Sequence, residues 1–328
     1  MENLTKIKVI GIGGSGCNAI SRMMKSKIKA VELIALNTDA QDLKKTQNYL
    51  KIQIGKKITQ GLGTGMDPEL GRKAALESKD EIGEILKGAD MVFITFGAGG
   101  GTGTGAAPIV AEIAKNLGIL TVAIVTKPFS FEGAFRKKIA LEGIKKLKEK
   151  VDSLVMIEND KLFEVLDQKT SISNAFWFCD DILRQAVQGI TDLIFLPGII
   201  NVDFADIKAI LKNSGTAFFG VGQSQGEKRA ESAAKMALNS PLLGVSCQGA
   251  KGVLFNVSGS KDMTLSEIEE IAKIITEEIN PKIKKEEISK IASGKVSPNS
   301  QTKIIFGAVY DNKMKKGEIK VTLIATGF

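Results

Sequence analysis

The chain has 328 residues, 43% hydrophobic and 25% charged, with 45 Lys+Arg against 37 Asp+Glu and a net charge of +8. That suits a globular protein with a substantial core in two domains. There is no histidine, which excludes Ser-His-Asp and Cys-His mechanisms, His-ligated metals and imidazole general bases.

Cys17, Cys179 and Cys247 are widely spaced and odd in number. They read as reduced core residues of a cytoplasmic protein, not as a disulfide framework or a zinc site. No apolar run approaches the roughly 20 residues of a membrane span, and the N-terminus lacks a signal-peptide core. Direct membrane insertion is therefore not expected. The basic residues interleave with acids, as in Arg136-Lys137-Lys138, Glu142 and Lys145-Lys146. No aromatic pattern accompanies them, so the excess reads as a solvated surface and no nucleic-acid partner is expected.

In chain order, residues 6–12 predict a buried strand, then a glycine loop and a helix over 17–27. A second strand is predicted at 31–37, a helix over 70–87 and a buried strand at 90–96. A second glycine run and a helix over 106–117 follow, then strand 119–125, a basic helix around 133–149 and strand 153–157. Strands alternating with helices predict a parallel sheet covered on both faces. Residues 173–196 contain no proline, and Phe178, Ile182, Val187, Ile190 and Ile194 recur at helical spacing. They predict one long, mostly buried helix that ends at Pro197-Gly198. Beyond it, strands are predicted at 216–221, 252–257, 303–310 and 318–325, and helices near 204–213, 226–239 and 265–279. The alternation in 318–325 predicts a half-exposed antiparallel strand. The expected architecture is an α/β nucleotide-type domain over 1–172, a connecting helix over 173–198 and a smaller α+β domain over 199–328.

Gly11-Ile12-Gly13-Gly14-Ser15-Gly16 follows a strand, opens a helix and matches GxGxxG. Alone it fits a dinucleotide site, with Asp39 as the ribose acid, or a plain tight turn. The second run, Gly97-Ala98-Gly99-Gly100-Gly101-Thr102-Gly103-Thr104-Gly105, says more. So many glycines cost conformational entropy, and the run reads as backbone N–H groups converging on an anion. No Gly-Lys-Ser/Thr follows, so it is not a Walker A loop. Two such loops on two parallel strand ends can share one polyphosphate, whereas a nicotinamide oxidoreductase has no use for the second.

Gly99-Gly100-Gly101-Thr102-Gly103-Thr104-Gly105 is similar to the signature of the tubulin/FtsZ superfamily. The whole chain resembles the bacterial cell-division GTPases of that superfamily. Further matching stretches are Asn37-Thr38-Asp39-Ala40-Gln41, Pro128-Phe129-Ser130-Phe131-Glu132-Gly133, Asn159-Asp160-Lys161-Leu162, Asn201-Val202-Asp203-Phe204-Ala205-Asp206 and Ile304-Ile305-Phe306-Gly307-Ala308. The resemblance implies a tubulin-like fold, GTP and GDP binding, and GTP hydrolysis.

It also implies site residues. Gly13, Gly14, Gly99, Gly100, Gly101, Thr102 and Gly103 would line the phosphates. Asn18, Asn159 and Asp180 would contact guanine, whose adjacent N1–H and exocyclic amine suit a carboxylate acceptor. Glu132 and Arg136 would hold the ribose and outer nucleotide, with Arg22 a further candidate of that kind. Asp203 and Asp206, supported by Asn201, would polarise the attacking water in the site of the next subunit. A head-to-tail filament follows, because such an interface does not close. Mg²⁺ would be held mainly by the phosphates.

Partners implied by the family are the chain itself, division proteins and membrane anchors, at the division site. The chain ends at Phe328, so the family's C-terminal docking peptide is expected to be absent, through shortening or in a member without a tail. Two departures stand out: the basic balance, in a family that is generally acidic, and Cys17, expected as an oxidation-sensitive position beside the first glycine loop. A tubulin-like protein that binds GTP without hydrolysing it is the other reading within the superfamily; Asp203 and Asp206 argue for hydrolysis.

Overall fold

The computed structural model describes residues 5–328 apart from 27, 29, 48, 49, 165, 168, 197, 240–245, 281–301, 312 and 313. Lys27, the expected end of the first helix, and Pro197, the expected stop of the central helix, lie outside the described residues. Two units divide the chain: residues 1–191 with 211–215, and residues 192–210 with 216–328.

The first unit runs β1 (Ile7–Ile12), α1 (Gly13–Lys25), β2 (Val31–Asn37), α2 (Ala40–Lys45), β3 (Leu50–Gln53), α3 (Lys56–Thr59), α4 (Pro68–Glu77), α5 (Lys79–Leu86), β4 (Met91–Gly97), α6 (Gly101–Asn116), β5 (Leu120–Lys127), α7 (Ala134–Lys148) and β6 (Ser153–Glu158). Its sheet has the order β3-β2-β1-β4-β5-β6, and every pairing is parallel. All-parallel strands are buried on both faces. Accordingly Met91–Phe96 of β4 and Leu120–Thr126 of β5 are buried throughout. Ile10, Ile34, Ile94, Phe96 and Val125 join Ala74, Ala106 and Ala107 in one core.

Several local expectations are corrected. The stretch 70–87 is two helices. Ser78 ends α4 and begins α5, and its hydroxyl is diverted to accept from the Gly55 N–H at 3.1 Å. The short elements α2, β3 and α3 had too few residues to show a period. Both glycine stretches are largely helical: Gly13, Gly14 and Gly16 belong to α1, and Gly101, Gly103 and Gly105 to α6. Close packing explains part of the second run. A Cβ on Gly101 would sit 2.7 Å from the Asp67 nitrogen, one on Gly105 would overlap the Pro68 carbonyl oxygen, and one on Gly71 would overlap the Gly101 carbonyl. Helices α4 and α6 approach too closely there for any side chain.

α8 (Ile172–Phe195) is the long central helix. Its first two turns are exposed, Phe178 included, and burial is heavy only from Cys179 onward. The second unit continues with α9 (Phe204–Leu211), β7 (Gly215–Gln225), α10 (Arg229–Leu238), β8 (Gly252–Gly259), α11 (Leu265–Ile279), β9 (Lys303–Tyr310) and β10 (Glu318–Thr326). β10 lies between β7 and β8, antiparallel to both, while β8 and β9 are parallel. A central position explains why Val321–Thr326 are buried where alternation predicted half-exposure. No helix among the described residues is long and apolar enough to cross a membrane.

Candidate functional site

The strand order reverses between β1 and β4, whose carboxyl ends lead into α1 and α6. Open α/β sheets bind ligands at such a point. Gly13 has φ +71°, and a Cβ on it would lie 3.1 Å from the Gly103 nitrogen, so the two helix N-termini lie side by side. Neither helix has a side-chain N-cap or an acid in its first turn. By contrast, Asp39, Asp67 and Thr264 cap α2, α4 and α11. Two adjoining helix N-termini with their first N–H groups uncapped are suited to an anion.

Gly99, at φ +95°, is pressed against Arg136: a Cβ there would lie 2.7 Å from Arg136 Cγ. Arg136 Nη1 pairs with Glu132 Oε2 at 3.0 Å, and Glu132 Oε1 accepts from the Phe129 N–H at 2.9 Å. A cleft within the first unit brings Glu132 and Arg136 together with Asn18, Asn159 and Asp180, beside Ser15, Phe176 and Cys179. Two buried polar atoms at this cleft, Asn159 Oδ1 and Arg136 Nε, have no hydrogen-bond partner among the described residues. Asn159 is only 4% exposed. Orphaned polar atoms at a cleft fit a polar ligand.

Asp180 is 7% exposed, and burial pushes its carboxyl up to about 6 against the pull of Arg22. Arg22 Nε donates to Asp180 Oδ2 at 2.9 Å, and its guanidinium lies 5.6 Å from the Trp177 ring centre. The Thr102 hydroxyl is engaged by the hydroxyls of Thr38 at 2.8 Å and Thr64 at 3.2 Å. Sequence reasoning missed Thr64 and its loop. The signal was present in Gly61-Leu62-Gly63-Thr64-Gly65, a third glycine-rich stretch, with Gly61 and Gly65 at positive φ.

Cys17 is turned into the core at 1% exposure, and burial pushes its thiol up to about 12, so it is not the oxidation-sensitive position expected. Asp39, the acid a dinucleotide site would require, accepts from the Gln41 and Asp42 N–H groups at 2.9 Å as the cap of α2.

Asp203, Asp206 and Asn201 belong to the second unit. Asp203 precedes α9, and its carbonyl accepts from the Asp206 N–H at 3.0 Å. Asp206 lies in the first turn, and Asn201 Oδ1 accepts from the Gly198 N–H at 2.7 Å. Among the described residues neither aspartate side chain forms a hydrogen bond or ion pair, and no group of three or more His, Cys, Asp or Glu side chains is placed to hold a metal.

Residues 6–167 match the model of the tubulin/FtsZ family GTPase domain, and residues 215–285 that of the FtsZ family C-terminal domain. An empty FtsZ dimer from M. jannaschii is 46% identical over 100% of this chain and 89% of that chain, with a TM-score of 0.85. A point-mutant FtsZ from M. jannaschii is 45% identical over 99% and 92%, with a TM-score of 0.86. The GDP-bound CetZ1 monomer from Haloferax volcanii shares the fold at 20% identity, covering 99% and 94%, with a TM-score of 0.81. Sequence, sheet topology and the paired glycine helices agree, and the chain belongs to the tubulin/FtsZ family of GTPases.

Proposed function

We propose that this chain binds GTP in the cleft of its first unit, assembles head to tail, and hydrolyses GTP when a second copy completes the site. In this reading the N-termini of α1 and α6, with Gly13, Gly14 and Gly99–Gly103, bind the phosphates. Asn18, Asn159 and Asp180 read the base, and Glu132 and Arg136 grip the ribose end. Thr102 acts from its hydroxyl cluster. Asp203 and Asp206 of the following copy polarise a water for in-line attack, with Asn201 holding their loop. Mg²⁺ would supply charge neutralisation at the β- and γ-phosphates and would be held mainly by them, since among the described residues no group of three or more acids is placed to hold it. The functional division is then 1–172 for nucleotide, 173–198 as connector and 199–328 for the acids.

The observation that carries this is the contrast between the acids of the first unit around the cleft, which have partners, and Asp203 and Asp206. Glu132 is bound to Arg136 and Asp180 to Arg22. Asp39 and Asp67 cap helices, and Asp42 accepts from Asn37 Nδ2 at 2.8 Å. Asp203 and Asp206, by contrast, have no side-chain partner among the described residues, which favours them as the water-polarising carboxylates. Support also comes from the similar M. jannaschii FtsZ, which forms a dimer. A ring at the division site, with division proteins and membrane anchors as partners, is the cellular form of this proposal.

The test is GTP turnover and pelleting against protein concentration. Turnover per chain should rise above a critical concentration together with pelleted material. Turnover strictly proportional to concentration, with nothing pelleted, would overturn the shared site. Asp206→Ala should retain GTP binding and lose hydrolysis by about 10²-fold or more.

A further inference from the structure

We propose that Arg22 is the positioning residue of base recognition: pinned over Trp177, its guanidinium holds the Asp180 carboxylate as a two-oxygen acceptor facing the base, and so sets selectivity for a base with two adjacent donors. This rests on the guanine reading of the cleft and deepens it. The geometry permits both bonds at once. Arg22 Nε takes one lone pair of Asp180 Oδ2 at 2.9 Å. A carboxylate has about four acceptor positions on its two oxygens, so acceptors remain for both N1–H and the exocyclic amine of guanine. The guanidinium carbon of Arg22 lies over the Trp177 ring, 5.6 Å from its centre, a cation–π contact that restrains it.

The charge state decides what this side chain can read. Ionised, it accepts twice and matches guanine. Protonated, it offers one donor and one acceptor, which matches the N1 and 6-amino edge of adenine. Burial favours the protonated form and Arg22 opposes it. The other charged or titratable groups near it are Glu132 and Arg136 at the cleft, and Cys179 and Asp181 on its own helix. Glu132 and Arg136 pair with each other, Asp181 pairs with Arg184 at 2.6 Å, and burial keeps Cys179 a neutral thiol. Arg22 is thus the cation that acts on Asp180.

Calorimetric titration of the full chain with GDP, inosine diphosphate and ADP between pH 5.5 and 8.5 tests this. The intact chain should bind GDP most tightly, the inosine nucleotide (one donor fewer) less tightly, and ADP weakly. Arg22→Met keeps the stem over Trp177. At pH 6.5 it should lower the GDP-over-ADP ratio about tenfold or more, and the loss should shrink as rising pH ionises Asp180. Arg22→Lys should fall between, and Asp180→Asn should bind GDP weakly without a pH dependence. If Arg22→Met does not fold, an upward shift of the acid limb of GDP binding in Arg22→Lys, with ADP binding gaining over the same pH range, supports the proposal, and an unshifted limb overturns it. An equal loss for all three nucleotides at every pH also overturns it, because Arg22 would then serve the ribose or phosphates. An intact chain that binds GDP but does not separate it from ADP overturns the guanine reading and this inference together. One that binds none of the three overturns the nucleotide reading itself.

Discussion

Among the described residues of the second unit, Arg229 is a dense polar contact point. At 6% exposure its guanidinium donates to Glu267 Oε1 at 2.5 Å and Oε2 at 3.0 Å, to Asp262 Oδ2 at 2.8 Å and to the Asp262 carbonyl at 3.1 Å. It ties α10 to α11 and to the turn after β8. Removing one partner of a buried ionic cluster leaves its opposite charges uncompensated. Arg229→Met should therefore lower stability in urea unfolding by about 3 kcal/mol. The same cluster has a pH signature. The Ser260 hydroxyl and then the Arg229 guanidinium hold Asp262 down at about 2. Its contribution is present above the unfolded value near pH 4 and is lost as pH falls toward 2. A urea midpoint followed from pH 5 to 2 should fall more steeply in the intact chain than in Arg229→Met. None of this was legible in the sequence, because Arg229 stands 33 and 38 positions from its partners. Of the cleft residues, Glu132 and Asn159 sit in motif stretches, while Asn18, Arg136 and Asp180 were named through the resemblance of the whole chain. Even there the partner of Arg22, 158 positions away, was not legible.

At the scale of elements, the glycines of α6 serve two masters. Gly101 and Gly105 let α4 approach, and the N-terminal position of the run leaves uncapped N–H groups beside α1. The sequence showed the run's density and its place after a strand, which is enough to propose an anion site. It did not show that the run is helical, because glycine has low intrinsic helix propensity and tertiary packing overrides that preference here. Gly105→Ala should destabilise by about 2 kcal/mol or more through overpacking against Pro68. Gly83 is the counter-example. It lies within α5, and a Cβ there would meet only Ile113 Cγ2, at 3.9 Å. Gly83→Ala should stabilise by about 0.5–1 kcal/mol by favouring the helix. Thermal unfolding of the two variants side by side separates the packing glycine from the incidental one.

Across the whole molecule, the parallel sheet of the first unit was readable because βαβ units are local in sequence. The strand order of the second unit was not, since its last strand, β10, inserts between β7 and β8. Long-range pairing of that kind leaves no periodic trace. The proposed assembly makes its own prediction at this scale. Asp206→Ala chains keep an intact cleft, and Asp180→Asn chains keep intact acids. Mixed in equal amounts, about one interface in four joins an intact cleft to intact acids. Turnover should then recover to roughly a quarter of the intact level, provided mixed interfaces form, while each variant alone stays near zero.

One arrangement at the cleft also has a practical consequence. Trp177 is the only tryptophan of the chain, and it lies against Arg22, the partner of Asp180. Light absorbed selectively by indole is therefore absorbed at one place, beside the residues proposed to hold the base. The protein carries its own optical label, so exchange of one nucleotide for another can be followed in real time on the unmodified chain.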